Sequence, residues 1–232
     1  MNLQSIAFIP DGNRRYAKKS HINLFTSYKL GTQKAWEVID WLHNYPKIKS
    51  GTFYTLSLEN LSRNKLELNI LFRIFEKELE RVKTSGVFDS REMRLKFIGR
   101  INAFPKRLQE KIRKTEEYTA DYKKKVINLA IGYNGQAEIV DAAKKIAWDF
   151  KNNKLKLNSL TPGSFKNYLY SVFPDPDLIL RTSGTKRLSG FLTYQSSYSE
   201  LYFLDKYWPE LEEADLDKAI NEFTERERKF GK

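Results

Sequence analysis

Short apolar runs alternate along the chain with longer segments in which apolar residues recur every three or four positions. The runs at 6–10, 52–57, 94–98, 126–132, 178–182 and 201–204 have strand length, and six strands are expected from them. Between the strands, residues 29–44 carry Leu30, Ala35, Trp36, Ile39 and Leu42 on one helical face, and 66–82 read likewise. Pro105 suits the first position of a helix running to about 119, 136–150 gives another, Thr161-Pro162 caps a fifth, and 216–229 closes the chain. Strands that alternate with helices predict an α/β fold built on a mostly parallel sheet.

Length and composition narrow this picture. A chain of 232 residues fits one domain spanning 1–232, large enough to bury roughly 70% of its unfolded surface. No repeat or linker interrupts it, and the Lys- and Asn-rich stretch at 151–159 is the expected exposed connection. The apolar run before Pro10 is too short for a signal-peptide core, and no stretch approaches the roughly 20 apolar residues of a membrane span. A soluble or membrane-peripheral protein, compatible with the cytoplasm, is expected. The absence of cysteine removes disulfides, thiolate chemistry and Cys-ligated zinc. With 41 Lys and Arg against 29 Asp and Glu, the net charge of +12 should draw anions: nucleic acid, lipid headgroups or diphosphates.

Three polar clusters follow apolar strands, where ligands bind in open α/β sheets. In the first, IAFIPDGNRRYA from Ile6, Gly12 would let the backbone approach a ligand, and Asp11 would suit magnesium. Arg14 and Arg15 could hold phosphate oxygens, although Asp-Gly-Asn is also a common turn. The second, LILRTSGTKRLSG from Leu178, offers Arg181, Arg187 and Ser189 around one anion, or simply an exposed basic loop. The third, TFYTLSLENLSR from Thr52, places Glu59, Asn60 and Arg63 in a polar loop, where Asn60 could equally cap a helix. No Walker, Gly-x-Gly-x-x-Gly or His-Glu-x-x-His pattern occurs, and His21 and His43 read as structural or exposed.

These clusters, with RLKFIG from Arg94, RLQEKIRKTEEYT from Arg107, SELYF from Ser199 and RERKFG near the end, resemble the cis-prenyltransferase family in order and spacing across essentially the whole chain. The resemblance implies a Rossmann-like six-stranded sheet flanked by helices and a homodimer. The activity it implies is magnesium-dependent condensation of isopentenyl diphosphate onto an allylic prenyl diphosphate with Z geometry. By motif, Asp11 is the catalytic carboxylate and metal ligand, while Gly12, Asn13, Arg15 and neighbouring Arg14 and Tyr16 hold the donor diphosphate. Arg181, Arg187 and Ser189 match the isopentenyl diphosphate site. Glu200 matches a magnesium ligand lent across the dimer interface. Ser57, Glu59, Asn60 and Arg63 match a loop over the site, with Asn60 as proton acceptor.

The chain also departs from bacterial members of that family. Arg14 replaces a Gly, and Leu24 and Tyr28 replace an Arg and a His near the donor diphosphate, so Arg14 is expected to take over part of the anchoring. An apolar channel for the prenyl chain could be lined by Trp36, Ile39, Leu71, Phe72 and Phe75, which core packing would explain equally well. Three rival readings remain from sequence: a non-catalytic subunit, a member with an altered donor or a non-head-to-tail coupling, and a basic nucleic-acid-binding protein. Retention of Asp11, Asn60 and Arg181 argues against the first. Basic residues at phosphate-site spacing, rather than in an aromatic-interleaved stripe, argue against the last.

Overall fold

The computed structural model of the chain describes residues 2–170 and 172–225. Strands β1 (Ser5–Ile9), β2 (Ser50–Ser57), β3 (Met93–Ile98), β4 (Lys125–Tyr133), β5 (Leu178–Arg181) and β6 (Glu200–Phe203) form one sheet in the order β3-β4-β2-β1-β5-β6. Every pairing is parallel. All residues of β1 and β5 are buried, as expected for strands covered on both faces, which is why they read as unbroken apolar runs.

Alternate residues of β1 serve different layers. Ile6 and Phe8 join a core with Phe53 and Trp208, whereas Ala7 and Ile9 pack on the other face with Tyr133 and Phe191. Phe8 and Phe53 stack at 4.8 Å, and Trp208 meets them at 6.3 and 6.4 Å. The Trp208 indole N–H donates to the Gly31 carbonyl at 2.7 Å, so this buried ring keeps its one polar atom satisfied and ties the chain's last third to a helix of its first.

The helices are α1 (Asn13–Lys19), α2 (Leu24–Trp41), α3 (Lys65–Thr84), α4 (Val87–Arg91), α5 (Lys106–Tyr118), α6 (Gly135–Lys151), α7 (Pro162–Phe165) and α8 (Glu213–Glu225). Several boundaries correct the sequence reading. Helix α2 begins five residues before the expected start because the Asn23 side chain caps it, accepting from the Thr26 N–H at 2.8 Å. It tightens into a short 3₁₀ turn at Leu42–Asn44 instead of continuing. Pro105 stands at the cap with ψ 142°, so α5 opens at Lys106. Thr161 caps α7 as expected, its hydroxyl accepting from Ser164, but that helix lasts one turn. Helix α4 was not expected, and the part of 216–229 beyond Glu225 lies outside the described residues. No helix among the described residues is long and apolar enough to cross a membrane.

At the amino end of the sheet, buried Lys125 donates from Nζ to the carbonyls of Tyr45 at 2.7 Å and Ile48 at 2.5 Å. Burial, with a smaller contribution from Lys49, pushes its pKa down from 10.5 to about 8. Between those values the unfolded chain binds more protons at this site than the folded one, so this lysine makes stability rise with pH across the window. The unfolding free energy of wild type minus that of Lys125→Met should therefore grow from the lower to the upper end of that window in urea titrations. A pH-independent difference would show that Lys125 is charged and solvated in the fold.

Candidate active site

Strand order reverses between β1 and β5. From β1 the chain passes to β2, crosses to edge strand β3 and fills in β4 between them, then returns to β5 and β6 on the other side of β1. The loops leaving β1 and β5 therefore diverge above their carboxyl ends, which opens the crevice where α/β sheets bind ligands. Ile9 and Arg181 are register partners, so Asp11 and Arg181 are delivered to that crevice side by side.

Asp11 is the hub. Its Oδ2 accepts from Arg181 Nη2 at 2.7 Å and Arg15 Nη2 at 3.3 Å, and its Oδ1 accepts from the Gly12 N–H at 2.7 Å. The Thr182 hydroxyl fixes the loop, donating to the Asp11 carbonyl at 2.7 Å. Burial alone would raise the Asp11 pKa, but hydrogen bonding and charge from Arg181, then Ser183 and Arg15, outweigh it and hold the carboxyl below its ordinary value. Gly12 has φ +105°, and a Cβ there would lie 2.7 Å from the Tyr207 ring, so both conformation and space require glycine.

Arg181 is 5% exposed, and its Nη1 donates to the Ser189 hydroxyl at 2.9 Å and to the Arg187 carbonyl. Its Nε is buried without a partner among the described residues. Arg15 donates to the Ser183 hydroxyl at 2.5 Å and carbonyl at 3.1 Å. The loop after β5 is unusual in backbone, with Ser183 at φ +78° and Ser189 at φ +52°, the kind of conformation that concentrates at binding sites.

From this cluster a cavity of about 820 Å³ runs between the sheet and helices α2 and α3. Its mouth is polar, with Asp11, Asn13, Arg14, Arg63 and Arg181, and its interior is apolar. Trp36, Ile39, Leu71, Phe72 and Phe75 all line it, so the residues expected for a channel do bound one.

The structure brings most of the expected residues together and leaves some apart. Gly12, Asn13, Arg14, Arg15, Ser57, Glu59, Asn60, Arg63, Arg181 and Ser189 border the cavity with Asp11. Tyr16 and the exposed Arg187 side chain do not, although Arg187 adjoins through its carbonyl. Glu200 stands at the amino end of β6, opposite Leu178, whereas Arg181 stands at the carboxyl end of β5, about 10 Å further along. Within one chain, Glu200 is therefore not a neighbour of Asp11. The Asn60 N–H donates to the Ser57 hydroxyl at 3.2 Å, and Glu59 accepts from Asn134 at 2.5 Å, which hold the loop after β2 against β4.

Sequence reading missed a buried carboxylate behind the rim. Glu67 on α3 accepts from the Tyr28 hydroxyl at 2.6 Å and from Arg63 at 3.1 Å, and burial together with Glu67 pushes the Tyr28 pKa up to about 12. Tyr28, standing where the resemblance predicted a lost cation, therefore recruits Arg63 to the same wall. The only sequence signal was the Asn64 cap, whose side chain accepts from the Glu67 N–H at 2.8 Å.

For a metal, the donor set is spare. Among the described residues no three His, Asp or Glu side chains converge. One carboxylate with room for phosphate oxygens still fits magnesium, which keeps few protein ligands.

Comparisons agree with this geometry. The sequence model of the prenyltransferase family of undecaprenyl diphosphate synthases matches residues 9–231. Tritrans,polycis-undecaprenyl-diphosphate synthase (geranylgeranyl-diphosphate specific) of Methanopyrus kandleri is 40% identical, covering 99% of this chain and 84% of its own. The Pyrobaculum aerophilum protein of that name is 41% identical over 98% of this chain and 95% of its own. Lavandulyl diphosphate synthase from Lavandula x intermedia, solved with dimethylallyl diphosphate, superposes with a TM-score of 0.94 at 31% identity, covering 100% of this chain and 99% of its own. A probable undecaprenyl diphosphate synthase from Campylobacter jejuni gives 0.82 at 30%, with 100% of both chains covered. The fold and site thus define a prenyl-transferring enzyme. The chain belongs to the undecaprenyl diphosphate synthase family, the cis-prenyltransferases.

Because Arg181 is the main opposite charge on Asp11, Arg181→Gln should raise the Asp11 pKa. Carbon-13 titration of the Asp11 carboxyl would show its protonation midpoint moving up in the variant. An unmoved midpoint would assign the lowered pKa to Ser183 and Arg15 instead.

Proposed function

We propose that the chain condenses isopentenyl diphosphate onto geranylgeranyl diphosphate with Z geometry, building a polyprenyl diphosphate. The observation that carries this reading is one cavity that joins the Asp11–Arg181 head to an apolar run between α2 and α3. A long allylic donor needs both parts, a cationic cradle for its diphosphate and a dry wall for its hydrocarbon. Donor length is taken from the archaeal relatives, whose names specify geranylgeranyl diphosphate.

In the reaction, a carbon–carbon bond forms between C1 of the donor and C4 of isopentenyl diphosphate. The donor diphosphate leaves with its bonding electrons, and a proton lost from C2 creates the new Z double bond. The guanidiniums of Arg14 and Arg187 have no hydrogen-bond or ion-pair partner among the described residues, which leaves them available for phosphate oxygens. Arg14 lines the cavity mouth and is read as an anchor for the donor. Arg181 and Ser189 are read as holding isopentenyl diphosphate, with Asn60 across the cavity orienting the atom that loses its proton. A magnesium ion held by Asp11 and diphosphate oxygens would neutralise charge developing on the leaving group. Binding the two substrates side by side supplies orientation, and the apolar wall excludes water from the allylic carbon.

The enzyme is further read as a homodimer in which Glu200 of the partner subunit completes the metal site. Glu200 standing outside its own chain's cavity supports this. A cytoplasmic working place is kept from the sequence reading, and contact with the membrane surface is read from exposed Phe25 and Leu66, 49% and 78% accessible at the first turns of α2 and α3. The lavandulyl neighbour supports a second reading, coupling of short five-carbon units, and donor length separates the two.

Incubating the chain and magnesium with labelled isopentenyl diphosphate and donors of five to twenty carbons should give longest products and highest kcat/KM with the longest donor. A preference for the five-carbon donor would select the second reading. Asp11→Ala should lower single-turnover rates by roughly 10² to 10³ in a chain that still folds, with the thermal melt moved down because buried Arg181 loses its carboxylate partner. A loss under about threefold, set against that range, would remove Asp11 from the chemistry.

A further inference from the structure

Helices α2 and α3 run side by side and in the same direction along the cavity, joined near the mouth by Tyr28–Glu67 and further down by Trp36–Glu78. From Leu71 to Val82 the cavity follows α3 for about 16 Å. Glu78 breaks the helix's own pattern. Ile74 and Phe75, one turn before it, and Leu79 and Val82, at and beyond it, all face the cavity, and Glu78 sits among them as a cavity-lining carboxylate. A side chain that only served solubility would stand on the opposite face.

Its partners hold it there. The Trp36 indole N–H donates to Glu78 Oε2 at 2.7 Å, and Arg81 Nη1 lies 3.6 Å from the same oxygen. Arg81 also lies over the Trp36 ring at 4.6 Å, and Trp36 meets Phe88 edge-on at 5.7 Å. Carboxylate, indole and guanidinium thus form one connected polar group in the far half of the apolar run, with Val82 and Phe88 lining the cavity beyond it.

We propose that Glu78, held by Trp36 and Arg81, is a polar barrier in the cavity wall that limits prenyl chain length through charge rather than bulk. The inference rests on the proposed function and adds the residue that sets its product. A chain that lengthens by five carbons per cycle gains by burying each methylene while the wall stays apolar. On reaching Glu78 it gains no more, because passing it toward Val82 and Phe88 would lay hydrocarbon against a carboxylate and press it away from its indole and guanidinium partners.

Saturated alkyl diphosphates of graded length, titrated calorimetrically with magnesium, test this without turnover. Wild-type affinity should climb by about fourfold per methylene and then reach a plateau. In Glu78→Met, which keeps side-chain length but removes charge, the climb should continue past that plateau, and product analysis should show chains longer by at least one five-carbon unit. If that variant lacks a cooperative melt, Glu78→Gln is read the same way, with a smaller extension because it keeps the acceptor for Trp36. A plateau unmoved in the folded variant, in a protein that does bind these ligands, would show a steric floor and overturn the inference alone. A wild type that binds no alkyl diphosphate of any length would overturn the proposed function and this barrier with it.

Discussion

The pairing of Arg181 with Asp11 is the interaction on which the site depends, and the sheet makes it unavoidable. Because β1 and β5 are neighbours in register, the residues just beyond their ends must share one crevice. Arg181 is buried, so its charge needs a partner there, and Asp11 supplies it at 2.7 Å. Removing either would leave an uncompensated charge at the mouth of the cavity. The pair also keeps Asp11 ionised and turns the remaining guanidinium edge toward Ser189, so one contact orders both diverging loops.

Much of the fold was legible because β1 and β5, at the centre of the site, are buried throughout and read as apolar runs without alternation. Beginnings of helices were less legible. The Asn23 cap of α2 acts through a single hydrogen bond, while the apolar periodicity that dominates a sequence reading starts more than a turn later. The start of α3, where Leu66 follows the Asn64 cap closely, was legible to within one residue. Helix α4 escaped because five residues cannot display a period, and α7 proved short because its Thr161 cap opens a helix that has only one turn to stabilise.

At the site, Asp11, Arg15, Arg181 and Asn60 were legible as polar residues directly after strands. Their supports were not, because each arrives from a distant part of the chain. Thr182 and Ser183 look like ordinary loop residues until Asp11 and Arg15 contact them, and Tyr207 matters only because Gly12 passes beneath it. Glu67 and Glu78 looked like the polar side of a charged helix. Only the approach of α2, with Tyr28 and Trp36 as donors, turns both carboxylates inward.

That approach explains how one cavity can serve two unlike chemistries. Near Asp11 the wall is backbone loops and guanidiniums, which suit a diphosphate because fixed donors in a partly buried site act through a low dielectric without reorganising. Beyond Tyr28 the wall is mostly apolar side chains of α2 and α3 packed over β2 and β4, with Glu78 as a carboxylate set among them. The transition between them falls where α2 packs closest to the head. A Cβ on Gly31 would lie 2.2 Å from the Asn13 side-chain oxygen, so α2 can press against α1 only at a glycine. The same residue's carbonyl receives the Trp208 indole. One small residue thereby fixes the distance between the diphosphate loop and the helix that walls the channel, and a bulkier one there would shift head and tail relative to each other.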